Sequence, residues 1–366
     1  MDRKILRKQR ALLFEKSSKN FYPFGARSFE GVSFRGSILV MRIHIQNPLS
    51  DDLFVITPRQ WDDAAARRPD VGRGHDVSYA DNDDGFAQGV SDAELLIGTP
   101  GTLRGRVLTD AAKLKLIFVM AAGMDKLMPF DWLPPGVALL NNRGAHGPKI
   151  REFALMALAM LNNRMPAYAT QQRRADWAGH FTTILRGKTC TVVGVGDLGG
   201  NAGAAARSQG MKTIGVRTKP TPHPEFDRVV AISAIDSVLP ESEFLVLACP
   251  LLPETRNLMN RDRLSRLPKG ANIINVGRGP LLDQDALCDL LDSGHLNGAV
   301  IDVTWPEPLP KNHRAWTTPN LVITPHVSAD SPATYNPDSL DILLDNLRAL
   351  RDGIKPPNQV DLGRGY

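Results

Sequence analysis

Six residues constrain this chain more than any others: Gly194-Val195-Gly196-Asp197-Leu198-Gly199, set directly behind an apolar run at 191–193 and ahead of a small-residue segment at 201–206. Strand, glycine turn and helix in that order can hold a dinucleotide. The first glycine makes the tight turn, the second lets backbone approach a pyrophosphate, and the third lets the helix pack close on the strand. The helix N-terminus then offers free N–H groups and the positive end of its dipole to the phosphates. A second apolar strand at 213–216 follows at βαβ spacing. Where an acidic residue would grip the ribose 2′-hydroxyl stands Arg217, with Thr218 and Lys219 next. An arginine there favours a 2′-phosphate, so NADPH is the expected cofactor and NADH the second choice.

At 366 residues the chain fits two domains. A net charge of +5 suggests nucleic acid, but the charge is unevenly placed. The first 40 residues carry nine of the 44 Lys/Arg and three of the 39 Asp/Glu, which leaves 35 basic and 36 acidic side chains for the rest. The body is not basic, and no nucleic-acid partner is expected. Cys190, Cys249 and Cys288 lie far apart without CxxC spacing, which predicts buried free thiols in a reducing, cytoplasmic setting and no metal site. The best apolar stretch, 153–161, falls short of the roughly 18 residues that cross a bilayer, so no membrane association is expected. Residues 1–37 lack the continuous apolar region of a secretory signal. They read as a disordered leader, or as sequence upstream of a true start at Met41, in preference to an organelle-targeting segment.

Before the glycine turn, strands are expected at 38–45, 76–79, 95–97 and 116–120, a helix at 58–68 and an acidic loop at 81–84. Residues 121–124 form a small-residue loop at the carboxyl end of a strand, where open α/β sheets bind ligands. Residues 152–163 form a helix apolar on nearly all sides, expected to be buried between domains or subunits. After the turn, strands follow at 229–231, 244–248, 272–276, 298–303 and 322–324, and a helix at 337–352. Two α/β units with parallel sheets imply a cleft between them.

Three segments end strands with reactive side chains. Asn275-Val276-Gly277-Arg278-Gly279 puts a guanidinium among glycines, Asp302-Val303-Thr304-Trp305-Pro306-Glu307-Pro308 a carboxylate between prolines, and Thr324-Pro325-His326 an imidazole after a proline. The set suits carbonyl reduction. A guanidinium binds a carboxylate bidentately and keeps its charge, so Arg278 can orient a 2-keto acid. A histidine can give a proton to the carbonyl oxygen, and a hydrogen-bonded carboxylate favours a protonated ring.

These motifs resemble the D-isomer-specific 2-hydroxyacid dehydrogenases, from about Met41 to the end of the chain. The most specific segments are 194–199, 273–283, 302–310 and 324–326; lesser ones are 122–125, 152–154, Trp177 and 250–255. The resemblance implies two doubly wound parallel-sheet α/β domains, with an NAD(P)-binding Rossmann domain at 143–328 inserted into a flavodoxin-like substrate domain at 38–142 and 329–366. It implies Arg278, Glu307 and His326 as substrate-orienting arginine, histidine-tuning carboxylate and acid/base. The implied cofactor-binding set is Gly194, Gly196, Asp197, Leu198, Gly199, Arg217, Thr218, Lys219, Pro250, Thr255, Val276, Gly277, Arg278, Asp302 and His326, with Asp302 on the nicotinamide carboxamide. Substrate would meet Ala122 and Gly123 through backbone N–H groups, and Arg278 and His326 through side chains. A homodimer is the implied assembly. Arg151, where the family usually has a small residue, and two prolines within 331–337 depart from the pattern.

The resulting expectation is an oxidoreductase of the glyoxylate/hydroxypyruvate reductase type, reducing a small 2-keto acid to the D-2-hydroxy acid. Alternatives are a phosphoglycerate dehydrogenase-like enzyme and a nucleotide-sensing scaffold like the corepressors that share the fold. No regulatory domain follows Tyr366, and no extra cations for a substrate phosphate can be placed, which disfavours the first alternative. Turnover of glyoxylate would disfavour the second.

Overall fold

Strands form where short apolar runs end in turn residues, and among the described residues they build two all-parallel sheets. The protein is represented by a computed structural model that describes residues 39–49, 52–106, 108 and 110–365. The leader at 1–37 and the first residue of the expected 38–45 strand lie outside the described residues. The first sheet holds β1 (Arg42–Gln46), β2 (Asp76–Ala80), β3 (Leu95–Gly98), β4 (Leu116–Val119) and β5 (Ala138–Asn141), in the order β2-β1-β3-β4-β5. The second holds β6 (Thr189–Val193), β7 (Lys212–Arg217), β8 (Arg228–Ala231), β9 (Phe244–Leu247), β10 (Ala271–Asn275), β11 (Leu296–Ile301) and β12 (Leu321–Ile323), in the order β12-β11-β10-β9-β6-β7-β8. Both are doubly wound. Central strands such as β3, β4 and β9 are buried along their whole length, which is why they read as unbroken apolar runs without alternation. The order reverses between β6 and β9, so a crevice opens at their carboxyl ends.

Helices cover each sheet. α1 (Pro58–Arg67) begins with a capping box, the Thr57 side chain accepting from the Gln60 N–H and the Gln60 side chain from the Thr57 N–H. α2 (Asp83–Asp92) corrects the expected acidic loop: Asn82 caps the helix at Gly85 N–H, and Asp83 and Asp84 occupy its first turn, where the dipole favours them. α3 (Gly147–Asn162) is followed by α4 (Met165–Arg173), α5 (Asp197–Ser208) leaves the glycine turn, and α6 (Tyr335–Arg351) ends the described helices. Ile150, Phe153, Ala154, Ala157, Leu158 and Leu161 of α3 join one core with α5, and the helix packs on α5, β10 and β11. On its other face Leu155 and Met156 stand exposed in the single chain. β5 was also not anticipated.

After β12 the chain returns to the first sheet, where Leu340, Leu343, Leu344 and Leu347 of α6 join the core under β1 and β4. Ion pairs clamp the rim of this contact. Arg348 binds Asp70 through Nε and Nη2 at 2.9 and 2.8 Å, Arg351 adds a third bond at 3.0 Å, and Arg68 binds Asp345 through Nε and Nη2 at 2.8 and 3.0 Å. The Arg348 guanidinium holds the Asp70 carboxyl well below the usual carboxylate range, and Arg68 lowers Asp345. A depressed carboxylate stabilises the fold above its unfolded pKa, near 4, and loses that contribution as pH falls through the lower folded value. The thermal midpoint should therefore drop below about pH 4, modestly because the pairs are half-exposed. Arg348→Leu should flatten that drop in melts recorded across the acid range; an unchanged acid slope would contradict the clamp.

Candidate active site

At the carboxyl end of β6 the three glycines do different work. A Cβ on Gly199 would lie 1.7 Å from the Gly194 carbonyl oxygen, so α5 packs against the turn as closely as backbone permits. A Cβ on Gly196 would meet nothing within 4 Å. The open side of the turn is thus at the second glycine, where the N-terminus of α5 begins with no side-chain cap. The N–H groups of Asp197, Leu198 and Gly199 meet no acceptor among the described residues. That is a fitting cradle for a pyrophosphate. Asp197 itself turns away toward the segment after β5: its Oδ1 lies 3.3 Å from Asn201 Nδ2, and burial raises its pKa against the lowering influence of His146, the Gly144 N–H and Arg143. Leu198 packs half-buried on the core under β6.

Arg217 is the last residue of β7, half-buried, with Thr218 and Lys219 exposed beyond it. Neither cation has an ion-pair partner among the described residues. On the far side of the crevice, Thr255 is buried and closes the loop after β9, donating to the Pro250 carbonyl and accepting from Leu252 N–H, both at 2.7 Å.

The three reactive segments leave adjacent strands, β10, β11 and β12, at their carboxyl ends. Asn275 is fully buried and braces the first: its Oδ1 accepts from Gly277 N–H at 3.1 Å and its Nδ2 donates to the Arg278 carbonyl at 3.1 Å. Val276 is buried, bonded through its N–H to the Leu247 carbonyl. A Cβ on Gly279 would fall 2.0 Å from the Thr304 carbonyl oxygen, so the arginine turn lies directly on the segment that carries Glu307. Glu307 Oε1 in turn accepts from His326 Nδ1 at 2.6 Å, and each side chain is about one-third exposed. The bond commits Nδ1 to the carboxylate and leaves Nε2 without a partner among the described residues.

His326 has φ +57°, a left-handed conformation that costs about 1–2 kcal/mol for a residue with a Cβ. Asp302 holds it there. Buried at 1% exposure, its carboxylate accepts from the Thr324 hydroxyl at 2.5 Å, Val327 N–H at 2.9 Å and Ser328 N–H at 3.0 Å, while its carbonyl accepts from His326 N–H at 2.8 Å. Three of a carboxylate's roughly four acceptor positions are filled. Asp302 is thus the brace of the histidine turn, with one position left for any ligand contact.

Opposite stands the loop after β4. Its carbonyls are occupied: Met120 accepts from the Tyr335 hydroxyl at 2.8 Å, Ala121 from Asn142 N–H at 3.0 Å and Ala122 from Asn141 Nδ2 at 3.3 Å. The N–H groups of Ala122 and Gly123 meet no acceptor among the described residues, so the loop offers two free backbone donors to an anion. Arg278 reaches this loop. Its Nε donates to Asp125 Oδ1 at 3.0 Å, and Nη2 lies 3.0 Å from the same oxygen as an ion pair. Asp125 was not singled out from sequence for the site, and Trp305 stands exposed beside Arg256 at the rim.

Comparison with known proteins agrees with this geometry. Residues 155–328 match the profile of the D-isomer specific 2-hydroxyacid dehydrogenase, NAD binding domain. Human glyoxylate reductase/hydroxypyruvate reductase is 30% identical over 264 residues, 70% of this chain and 80% of that protein. Glycerate dehydrogenase of Methylorubrum extorquens is 30% identical over 280 residues, 74% and 86% of the two chains. A D-isomer specific 2-hydroxyacid dehydrogenase from Xanthobacter autotrophicus Py2, solved with NADPH and MES, matches with a TM-score of 0.75 at 27% identity, covering 89% of this chain and 99% of that one.

Proposed function

The chain belongs to the D-isomer-specific 2-hydroxyacid dehydrogenases, NAD(P)-dependent oxidoreductases, and from that premise we propose that it reduces a small 2-keto acid of the glyoxylate/hydroxypyruvate class to the D-2-hydroxy acid, with NADPH preferred. One observation carries the reading. The His326–Glu307 pair and the Arg278 turn interlock through Gly279 and Thr304, and Arg278 reaches the loop with free backbone donors at Ala122–Gly123. When bound, a nicotinamide dinucleotide supplies the hydride.

The chain's own residues do the rest. The free N–H groups of Asp197, Leu198 and Gly199 hold the pyrophosphate, and the open side of Gly196 admits it. Arg217, Thr218 and Lys219 take the 2′-phosphate, while Pro250, Thr255, Val276, Gly277 and Asp302 line the remaining cofactor surface. Ala122 and Gly123 N–H groups and the Arg278 guanidinium bind the substrate carboxylate, which fixes the carbonyl with its oxygen toward His326 Nε2. Nε2 gives that oxygen its proton, and Glu307 keeps the ring oriented through Nδ1.

Residues 143–328 serve as the cofactor-binding unit in this reading, and 38–142 with 329–366 as the substrate-binding unit. A homodimer is the proposed assembly, supported by exposed apolar side chains on α3, on α4 and just after it: Leu155, Met156, Met165, Trp177, Phe181 and Ile184. The buried free thiols of Cys190, Cys249 and Cys288 support a reducing, cytoplasmic setting.

The glycines give a paired prediction. Gly199→Ala forces a backbone clash and should cost at least about 1–3 kcal/mol of stability. Gly196→Ala has room for its methyl, so it should melt within about 0.5 kcal/mol of the parent yet bind NADPH more weakly. Melting curves with NADPH titrations read both; equal behaviour of the two variants would contradict the turn's assignment. Product analysis tests the reaction itself: hydroxypyruvate with NADPH should yield D-glycerate, and NADPH binding without turnover would favour a sensing scaffold.

A further inference from the structure

Asp125 lies on the first sheet's side of the cleft, 153 positions from Arg278 in sequence, yet accepts a hydrogen bond from its Nε and pairs with its Nη2. Nε donates to Oδ1 at 3.0 Å, Nη2 lies 3.0 Å from the same oxygen as an ion pair, and Nη1 donates to the Gly277 carbonyl at 2.8 Å. A guanidinium has five N–H bonds in one plane. With two committed to hydrogen bonds, three N–H bonds remain, all on the two terminal nitrogens, where a pair suits the two oxygens of a carboxylate. The guanidinium also presses on the substrate loop: a Cβ at Gly123 would fall 2.0 Å from Nη2. Arg278 and Asp125 are both about one-fifth to one-quarter exposed, so the pair faces the cleft while being partly shielded from water.

We propose that Asp125 is a positioning residue for substrate binding: by fixing the Arg278 guanidinium from across the cleft, it presents a pair of the remaining N–H bonds to the carboxylate of the 2-keto acid. The inference rests on the reading of Arg278 as the substrate-binding arginine. Without Asp125, a long flexible side chain would have to be ordered each time substrate binds, which lowers affinity. Asp125 also occupies the guanidinium face a second anion would need. The site is thereby suited to acids with a single carboxylate at the reacting end.

A mutant cycle between the two residues tests this. Asp125→Ala should raise KM for hydroxypyruvate by about tenfold, within the range that coupled neighbours show, with kcat changed much less. Asp125→Asn keeps an oxygen acceptor at Oδ1 and should recover part of that loss. In an Arg278→Ala background the Asp125→Ala change should have little further effect on KM. Melting temperature and NADPH affinity of the Asp125 variants should match the parent, because neither the cofactor turn nor the cores involve Asp125. An unchanged KM in Asp125→Ala overturns the proposal, as does an equal KM increase with and without Arg278, or a KM increase that only tracks lost stability. If Asp125→Ala does not fold, the KM of Asp125→Asn decides: a parental melt with raised KM supports positioning, and a parental KM overturns it. Should Arg278→Ala itself leave KM unchanged, the underlying reading of Arg278 fails, which is a different result from additivity.

Discussion

Replacing His326 with alanine should lower kcat for keto-acid reduction by about 10²- to 10⁴-fold, the contribution of a well-placed general acid, while NADPH affinity stays near that of the parent. Two features of the site set this expectation. Nδ1 is committed to Glu307 at 2.6 Å, so the proton must leave from Nε2, and the other imidazole in these loops, His313 after β11, accepts from Ala315 N–H at 3.1 Å as the cap of a short turn. The proposed phosphate cradle is the uncapped start of α5, after β6, and does not involve the histidine. Because His326 sits at φ +57°, alanine there also carries backbone strain, so His326→Asn is the better-matched companion: asparagine tolerates the left-handed region and cannot act as the acid. Both variants should lose turnover alike. If either kept the parental kcat, the proton would come from elsewhere.

The second large effect concerns Arg217. It ends β7 with no carboxylate partner, and Lys219 lies two residues on, also unpaired among the described residues. An unpaired cation at this strand end is suited to a 2′-phosphate and offers no acceptor to a free ribose hydroxyl. NADPH should exceed NADH in kcat/KM by at least about tenfold, equivalent to roughly 1.4 kcal/mol. Arg217→Asp should invert the ratio while leaving kcat on the better cofactor little changed, since residue 217 lies outside the loops that carry His326 and Arg278. Equal efficiency of the parent with both cofactors would leave Arg217 an ordinary surface charge.

What could be read from sequence follows from what is local. The glycine turn, the strands around it and the three reactive segments are each written in fewer than about a dozen residues, because a buried parallel strand is a short apolar run and a dinucleotide turn has fixed glycines. α2 escaped notice for a tertiary reason. Gly85 and Gly89 weaken its helical pattern, and Gly89 is required because a Cβ there would lie 2.0 Å from His44 Nδ1. Asn82 followed by Asp83 and Asp84 was the signal that could have found it. For α3, the Gly147-Pro148 start was the missed boundary sign. β5 is four residues after Gly136, too short to assert against its surroundings.

The site's support lies further still from local pattern. Asp302 was singled out as a ligand contact, yet its carboxylate is spent largely on the Thr324–Ser328 turn, and only the folded loop reveals that. Asp125 meets Arg278 across the cleft between two sheets, a relation no spacing rule encodes.

The most direct measurement is a side-by-side determination of kcat/KM for glyoxylate, hydroxypyruvate and bulkier 2-keto acids, each with NADPH and with NADH. The account predicts rapid NADPH oxidation with the small acids, at least about tenfold slower use of NADH, and D-configured product from hydroxypyruvate. Absence of turnover with every 2-keto acid, in a protein that binds NADPH, would contradict it.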